Sequence, residues 1–178
     1  MAENNMDRQH LQKLYRLTWE PELTSPYPEY LAEWLYEQGS MTAKLNQFCQ
    51  HIRVEVMEEK FVGQSALLTH EQQALAMVDC QQYWIREITL YGDDEAWLIG
   101  RTVIPEASLQ GTEQQLVTIG TRPLGHYLFS VGNLSRDFIE IGHYQALWGR
   151  RSLLRLSNKP LLLTELFLPA SPAYLKTR

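Results

Sequence analysis

Residues 83–105, YWIREITLYGDDEAWLIGRTVIP, constrain this chain more than any other stretch. Two runs rich in β-branched and aromatic residues flank GDDE, which suits a tight turn, so the segment reads as a β-hairpin. Side chains alternate across a strand. Trp84, Arg86, Ile88 and Leu90 therefore share one face, and Tyr83, Ile85, Glu87, Thr89 and Tyr91 the other. On the return strand Arg101 shares a face with Trp97, Ile99 and Val103. An arginine set among core residues stays charged and must be answered by an anion, from the protein or from a ligand.

A second hairpin is expected at RSLLRLSNKPLLLTELFLP, turning at SNKP. Its return strand, LLLTELFLP over 161–169, reads as buried on both faces, yet it carries Glu165. A carboxylate left dry and unpaired there is strongly destabilising. Two readings follow. Arg86 and Glu165 answer each other as a structural ion pair, or they flank a pocket. In the second case Arg86 holds a substrate carboxylate and Glu165 accepts a hydrogen bond from a substrate hydroxyl, one polar group at each end of an apolar cavity.

The earlier part reads helical. Leu31, Trp34 and Leu35 fall at helical spacing before Gly39, and Ser40 is placed to cap a second helix holding Met41, Leu45 and Phe48. The outline is that of a helix-turn-helix, but Lys44 is the only basic residue on the second helix, so DNA reading is not expected. From Ile52 the period changes to two. Thr69 with Gln72, and Thr112 with Gln115, read as capping boxes, the second helix ending at Gly120. DFIEIG reads as a short strand. Strands joined by hairpins make an antiparallel sheet with helices on one face or at its ends, so the class is α+β. At 178 residues the chain fits a single domain.

Composition narrows the function. No apolar run approaches the roughly 18 residues of a bilayer span. The N-terminus MAENNMDRQHLQKLYR lacks the apolar core of a signal peptide, and two cysteines make no disulfide framework. A cytoplasmic location is the default expectation. Residues 1–119 carry 8 Lys/Arg and 18 Asp/Glu, whereas 120–178 carry 8 and 3. A basic third in an acidic protein suggests a positive site for a small anion, set against the alternative of solvated surface. In WGRRS, Arg150 and Arg151 read as a solvated strand start that adds positive charge. In RPLGH, Pro123 and Gly125 leave the Leu124 N–H free to point at an anion, set against an ordinary turn opening a helix. Nucleotide-loop, nucleophile-elbow and zinc motifs are absent from the sequence, and His70, His126 and His143 read as surface or packing residues. Neither a metal nor a cofactor is expected.

GSMT at 39–42, YWIREI at 83–88, AWLIGRTVIP at 96–105, PLGHYLF at 123–129, LSRDFIEIG at 134–142 and LWGRRSLLRLSNKPLLLTELFLPASP at 147–172 occur in an order that resembles the chorismate lyase (chorismate pyruvate-lyase) family. The likeness covers nearly all of 83–172, while residues 1–25 look like a loosely matched extension of a domain spanning 1–178. It implies an antiparallel sheet of about six strands with helical flaps closing over a buried ligand. It implies elimination of pyruvate from chorismate to give 4-hydroxybenzoate, the first committed step of ubiquinone synthesis. Monomer is the default expectation, the net charge of −5 argues against a nucleic-acid partner, and stable membrane insertion is not expected. Product-binding positions of the family match Met41, Arg86, Leu124 and Glu165; Met41 comes from the resemblance alone. Arg86 and Glu165 carry the catalytic expectation, and Arg101, Arg150 and Arg151 are candidates for the enolpyruvyl carboxylate. His126 stands where the family pattern suggests arginine. Two rivals remain: a small-molecule-sensing domain of the same fold without turnover, and another chorismate-consuming enzyme.

Overall fold

A computed structural model describes residues 2–20, 22, 26–76 and 81–176, so Cys80 lies outside the described residues. Its strands are β1 (Thr18–Trp19), β2 (Ile52–Gly63), β3 (Gln82–Gly92), β4 (Glu95–Pro105), β5 (Leu134–Tyr144), β6 (Leu147–Leu156) and β7 (Lys159–Phe167). They form one sheet in the order β1-β5-β6-β7-β4-β3-β2, with every neighbouring pair antiparallel. The expected α+β domain is present. Six strands are long, and the seventh, β1, is a two-residue addition to the edge of β5.

Both expected hairpins form, and each turns on two residues at positive φ. These are Asp93 and Asp94 (46° and 67°) and Ser157 and Asn158 (50° and 68°). Asp and Asn tolerate this conformation, and the mirror-image turn it builds matches the strand twist. β4 then pairs with β7, joining the hairpins edge to edge and placing Glu165 on a central strand. DFIEIG proves to be part of an 11-residue strand, because β5 pairs with β6 along nearly its whole length.

Helices α1 (Ala2–Tyr15) and α4 (Thr69–Leu75) cover one face of the sheet. There Leu14 and Leu17 pack with Trp19, Ile99 and Leu166, while Leu75 packs with Ile85, Val103 and Leu162. Helices α2 (Ala32–Leu35), α3 (Met41–Asn46) and α5 (Leu124–Ser130), with a 3-10 helix at Gly111–Thr118, cover the other. This second face holds two apolar clusters. Leu31, Trp34, Leu35, Met41 and Leu45 sit on Leu90, Leu98 and Phe167. Leu116, Ile119, Leu124 and Leu128 sit on Ile104, Leu154 and Leu161. Arg86, Thr102, Arg150 and Glu165 occupy the strip of sheet between them.

Ser40 caps α3 as expected, its Oγ accepting from the Ala43 N–H at 3.2 Å. The cap of α4 falls one residue earlier than Thr69. Leu68 donates its N–H to Glu71 at 2.9 Å, so Glu71 rather than Gln72 reaches back. The Gly111–Thr118 segment winds as a 3-10 helix, and the Thr112 side chain lies outside the described ones. One strand face is also corrected. Between Leu90–Leu98 and Tyr91–Ala96 the register shifts, leaving Trp97 as an extra residue. A bulge breaks the alternation of two, so Trp97 joins Trp34, Leu90 and Leu98 instead of Ile99, Arg101 and Val103. Gly92 makes this possible, since a Cβ there lies 2.1 Å from the Trp97 ring. Gly92→Ala is therefore expected to lose about 1–3 kcal/mol in urea denaturation, the usual cost of overpacking. An unchanged midpoint contradicts this account of the bulge.

Candidate active site

The register across the sheet assembles the site. Gly100 on β4 faces Ile88 on β3 and Glu165 on β7, and Glu165 in turn faces Arg150 on β6. Two residues along β3 from Ile88, Arg86 faces Thr102. These positions share one face, so their side chains converge on a cavity of about 50 Å³. Met41 and Thr42 from the start of α3, with Pro123, Leu124 and Gly125 at the start of α5, close it from above. The two helix starts pack closely, Gly125 lying where an added Cβ would be 3.6 Å from Thr42 Oγ1. The space admits about one or two water molecules. A ring-sized ligand therefore requires the helices to part.

Charges in the strip are buried and individually answered. Glu165 is 4% exposed and Arg150 is 1% exposed. Arg150 donates from Nε to Glu165 Oε1 at 3.0 Å, and from Nη1 to the carbonyls of Glu37 (2.6 Å) and Leu35 (3.3 Å). Glu165 Oε2 takes no hydrogen bond among the described residues. Arg86 pairs with Glu59 and donates to the carbonyls of Gly120 at 2.7 Å and Arg122 at 3.2 Å. Its Nε is buried without a hydrogen-bond partner among the described residues. Of the two readings, the direct ion pair between Arg86 and Glu165 is therefore not formed. β4 lies between their strands, and two strand spacings separate their backbones by roughly 10 Å. On β4 Thr102 stands beside Arg86 and Gly100 beside Glu165, and all four line the cavity.

Of the candidates for a second carboxylate, only Arg150 lines the cavity. Arg101 and Arg151 each sit one residue out of phase, Arg101 facing Glu87 across the ladder and Arg151 facing Thr164, so both point to the opposite face. There Arg101 is gripped by Glu71 (2.8 and 2.9 Å) and Glu87 (2.9 Å), and Tyr15 hydrogen-bonds to Glu87. Burial and the adjoining Glu87 push the Tyr15 hydroxyl pKa up, which keeps it a donor. Arg151 donates to Glu140 at 2.6 Å and lies over the Trp19 ring at 4.6 Å. Neither arginine is the solvated or substrate-facing group that its sequence context suggested. His126 is exposed on α5 and is not among the cavity residues.

The sequence reading passed over Arg136, which lines the cavity from β5. Burial, and then the Arg150 charge, lower its pKa. The available signal was an arginine in a strand of the basic third, but β5 bulges between Arg136 and Phe138, so alternation gives no reliable face. A more spacious depression, about 910 Å³, lies elsewhere, beside the 3-10 helix at Gly111–Thr118. It is lined by glutamines and no cation, so it offers nothing to answer an anion. Among the described residues there is no cluster of three or more metal-ligating side chains, and no helix is long and apolar enough to cross a membrane.

The sequence profile of the family described as chorismate lyase matches residues 13–178. The chain belongs to the chorismate lyase family. Family members similar to it include the chorismate pyruvate-lyase of Yersinia enterocolitica, 52% identical over 147 residues, or 83% of this chain and 86% of the relative. The chorismate pyruvate-lyase of Serratia proteamaculans is 49% identical over 158 residues, 89% of each chain. A chorismate lyase fold of this kind also occurs outside the family. A possible transcriptional regulator from Bacillus subtilis superposes with a TM-score of 0.55 at 8% identity, over 96% of this chain and 80% of that one. The C-terminal domain of the histidine utilization repressor of Pseudomonas syringae gives 0.52 at 15% identity, over 72% of this chain and 98% of that one.

In this member of the chorismate lyase family, the opposite-face network is structural. Arg101→Met leaves two buried carboxylates unanswered, and removing one member of a buried pair costs about 3–5 kcal/mol. Urea denaturation should register a loss of that size. Stability within error of the parent protein contradicts the network's role.

Proposed function

We propose that this protein is a chorismate pyruvate-lyase, converting chorismate to 4-hydroxybenzoate and pyruvate at the head of ubiquinone synthesis. The observation that carries the reading is the pair of unused polar atoms at opposite sides of one buried cavity, Arg86 Nε and Glu165 Oε2, in a chain whose relatives bear that name. Chorismate carries a ring carboxylate at C1 and a hydroxyl para to it at C4. Arg86 takes the carboxylate with the Leu124 N–H beside it, and Glu165 accepts a hydrogen bond from the hydroxyl. Met41 packs on the ring from the roof. The same proposal has the enzyme act as a cytoplasmic monomer without metal, cofactor or nucleic acid.

In the reaction the C3–O ether bond breaks and the C4 proton leaves. The electron pair of the C4–H bond becomes the new C3–C4 double bond, which makes the ring aromatic. The oxygen of the ether keeps the other pair, so the side chain departs as enolpyruvate and becomes pyruvate on taking up a proton. Aromatisation supplies driving force, so positioning and support of charge on the leaving oxygen carry much of the acceleration. Arg150 holds Glu165 in place and adds positive potential on that side of the cavity.

Incubating purified protein with chorismate and no added metal should release pyruvate and 4-hydroxybenzoate in equal amounts. No pyruvate favours a sensing domain of the same fold, and 3-hydroxybenzoate or a hydrolysis product favours another chorismate-consuming enzyme. Arg86→Ala should lower kcat/KM by at least about 10- to 100-fold, the value of one charged hydrogen bond. Near-normal turnover removes Arg86 as the carboxylate clamp. Glu165→Gln divides two roles, because an amide accepts a hydrogen bond but is a very poor base. Retained turnover assigns Glu165 to binding the hydroxyl, and lost turnover with retained product affinity assigns it to the C4 proton.

A further inference from the structure

The buried cavity and a depression on the surface beside it share a wall. The depression, about 370 Å³, is lined by Gln38, Leu134, Ser135 and Leu154, and Phe129 and Arg136 line both spaces. Arg136 donates from Nη1 to the Glu37 carbonyl at 2.7 Å and lies 5.9 Å from the centre of the Phe129 ring. Its Nε is buried with no hydrogen-bond partner among the described residues. Of the three guanidinium groups lining the cavity, Arg86 is paired with Glu59 and Arg150 with Glu165, while Arg136 has no carboxylate partner among the described residues. A guanidinium keeps its charge, so in this part-buried place the cation has the Glu165 and Glu37 carboxylates near enough to act on it but no carboxylate in direct contact among the described residues.

We propose that Arg136 binds the enolpyruvyl carboxylate of chorismate, an inference that rests on the proposed lyase function. Chorismate is a dianion, and Arg86 accounts for one carboxylate. With the ring carboxylate on Arg86 and the 4-hydroxyl on Glu165, the C3 substituent adjoins the hydroxyl and so lies at the Glu165 side. β6 and β5 follow β7 on that side, and they bring Arg150 and Arg136. Arg150 already spends its Nε on Glu165 and its Nη1 on two carbonyls of the α2 end. Diverting it would leave Glu165 alone. Arg136 has a free, buried Nε on the wall that separates the cavity from the outside, where the detached pyruvate carboxylate would next meet solvent.

The test uses a ligand that lacks the second carboxylate. Arg136→Gln should lower kcat/KM for chorismate by about 10- to 100-fold, and leave the affinity for 4-hydroxybenzoate within about threefold of the parent protein. Arg136→Lys, which keeps the charge but not the fork, should recover part of the loss. Unchanged kcat/KM in Arg136→Gln overturns the assignment. So does an equal loss of 4-hydroxybenzoate affinity and turnover in both variants, which marks Arg136 as a brace for the Glu37 carbonyl. A parent protein that makes no pyruvate from chorismate fails at the earlier step and takes the lyase reading down with this one.

Discussion

The ion pair between Glu165 and Arg150 is the interaction on which the rest of the site depends. Both side chains are almost wholly buried on adjacent central strands, where an isolated charge is not tolerated. Arg150 resolves the problem in two directions. Its Nε answers Glu165, and its Nη1 reaches the carbonyls of Leu35 and Glu37, where α2 ends and the chain turns toward α3. The floor and the roof of the cavity are thus tied through one guanidinium. Because Arg150 uses only one carboxylate oxygen, Glu165 Oε2 takes no hydrogen bond among the described residues and is the oxygen the proposed substrate hydroxyl would meet.

Both faces of the sheet bury charge, and they do so for different ends. On the face under α1 and α4, Arg101, Glu71, Glu87 and Tyr15 satisfy one another, with Arg151 on Glu140 beside them. On the face under α2, α3 and α5, Arg86 Nε and Arg136 Nε lack hydrogen-bond partners among the described residues, and Glu165 Oε2 takes no hydrogen bond. Buried unsatisfied atoms occur on the other face too, Arg151 Nη1 and His70 Nε2 among them, so it is the cavity beside Arg86, Arg136 and Glu165 that sets these three apart. The same cross-strand phase that separates Arg86 from Glu87, and Arg150 from Arg151, divides the charges that line the cavity from those that do not.

Much of this was legible in the residues. The hairpin turns at Asp93–Asp94 and Ser157–Asn158, the burial of Arg86 and Glu165, and the Ser40 cap all follow from local chemistry that acts within a few residues. What was not legible depends on which strands meet. The β4–β7 pairing puts strand β4 between Arg86, which faces Thr102, and Glu165, which faces Gly100, so the two never touch, and no local pattern encodes that. Alternation also fails wherever a bulge intervenes, which misplaced Trp97 and hid Arg136. Arg101 and Arg151 were drawn toward the substrate because sequence shows that an arginine is buried among apolar neighbours, but not which acids wait on the other side of the sheet.

The central claim is that Arg86 and Glu165 grip opposite ends of one aromatic acid. A crystal structure of the protein with 4-hydroxybenzoate tests it most directly. The account predicts the carboxylate within hydrogen-bonding distance of Arg86 Nε and the para hydroxyl on Glu165 Oε2, with Met41 and Leu124 displaced enough to admit the ring. A product molecule lying in reverse, with its carboxylate toward Glu165, or bound away from this cavity, contradicts it.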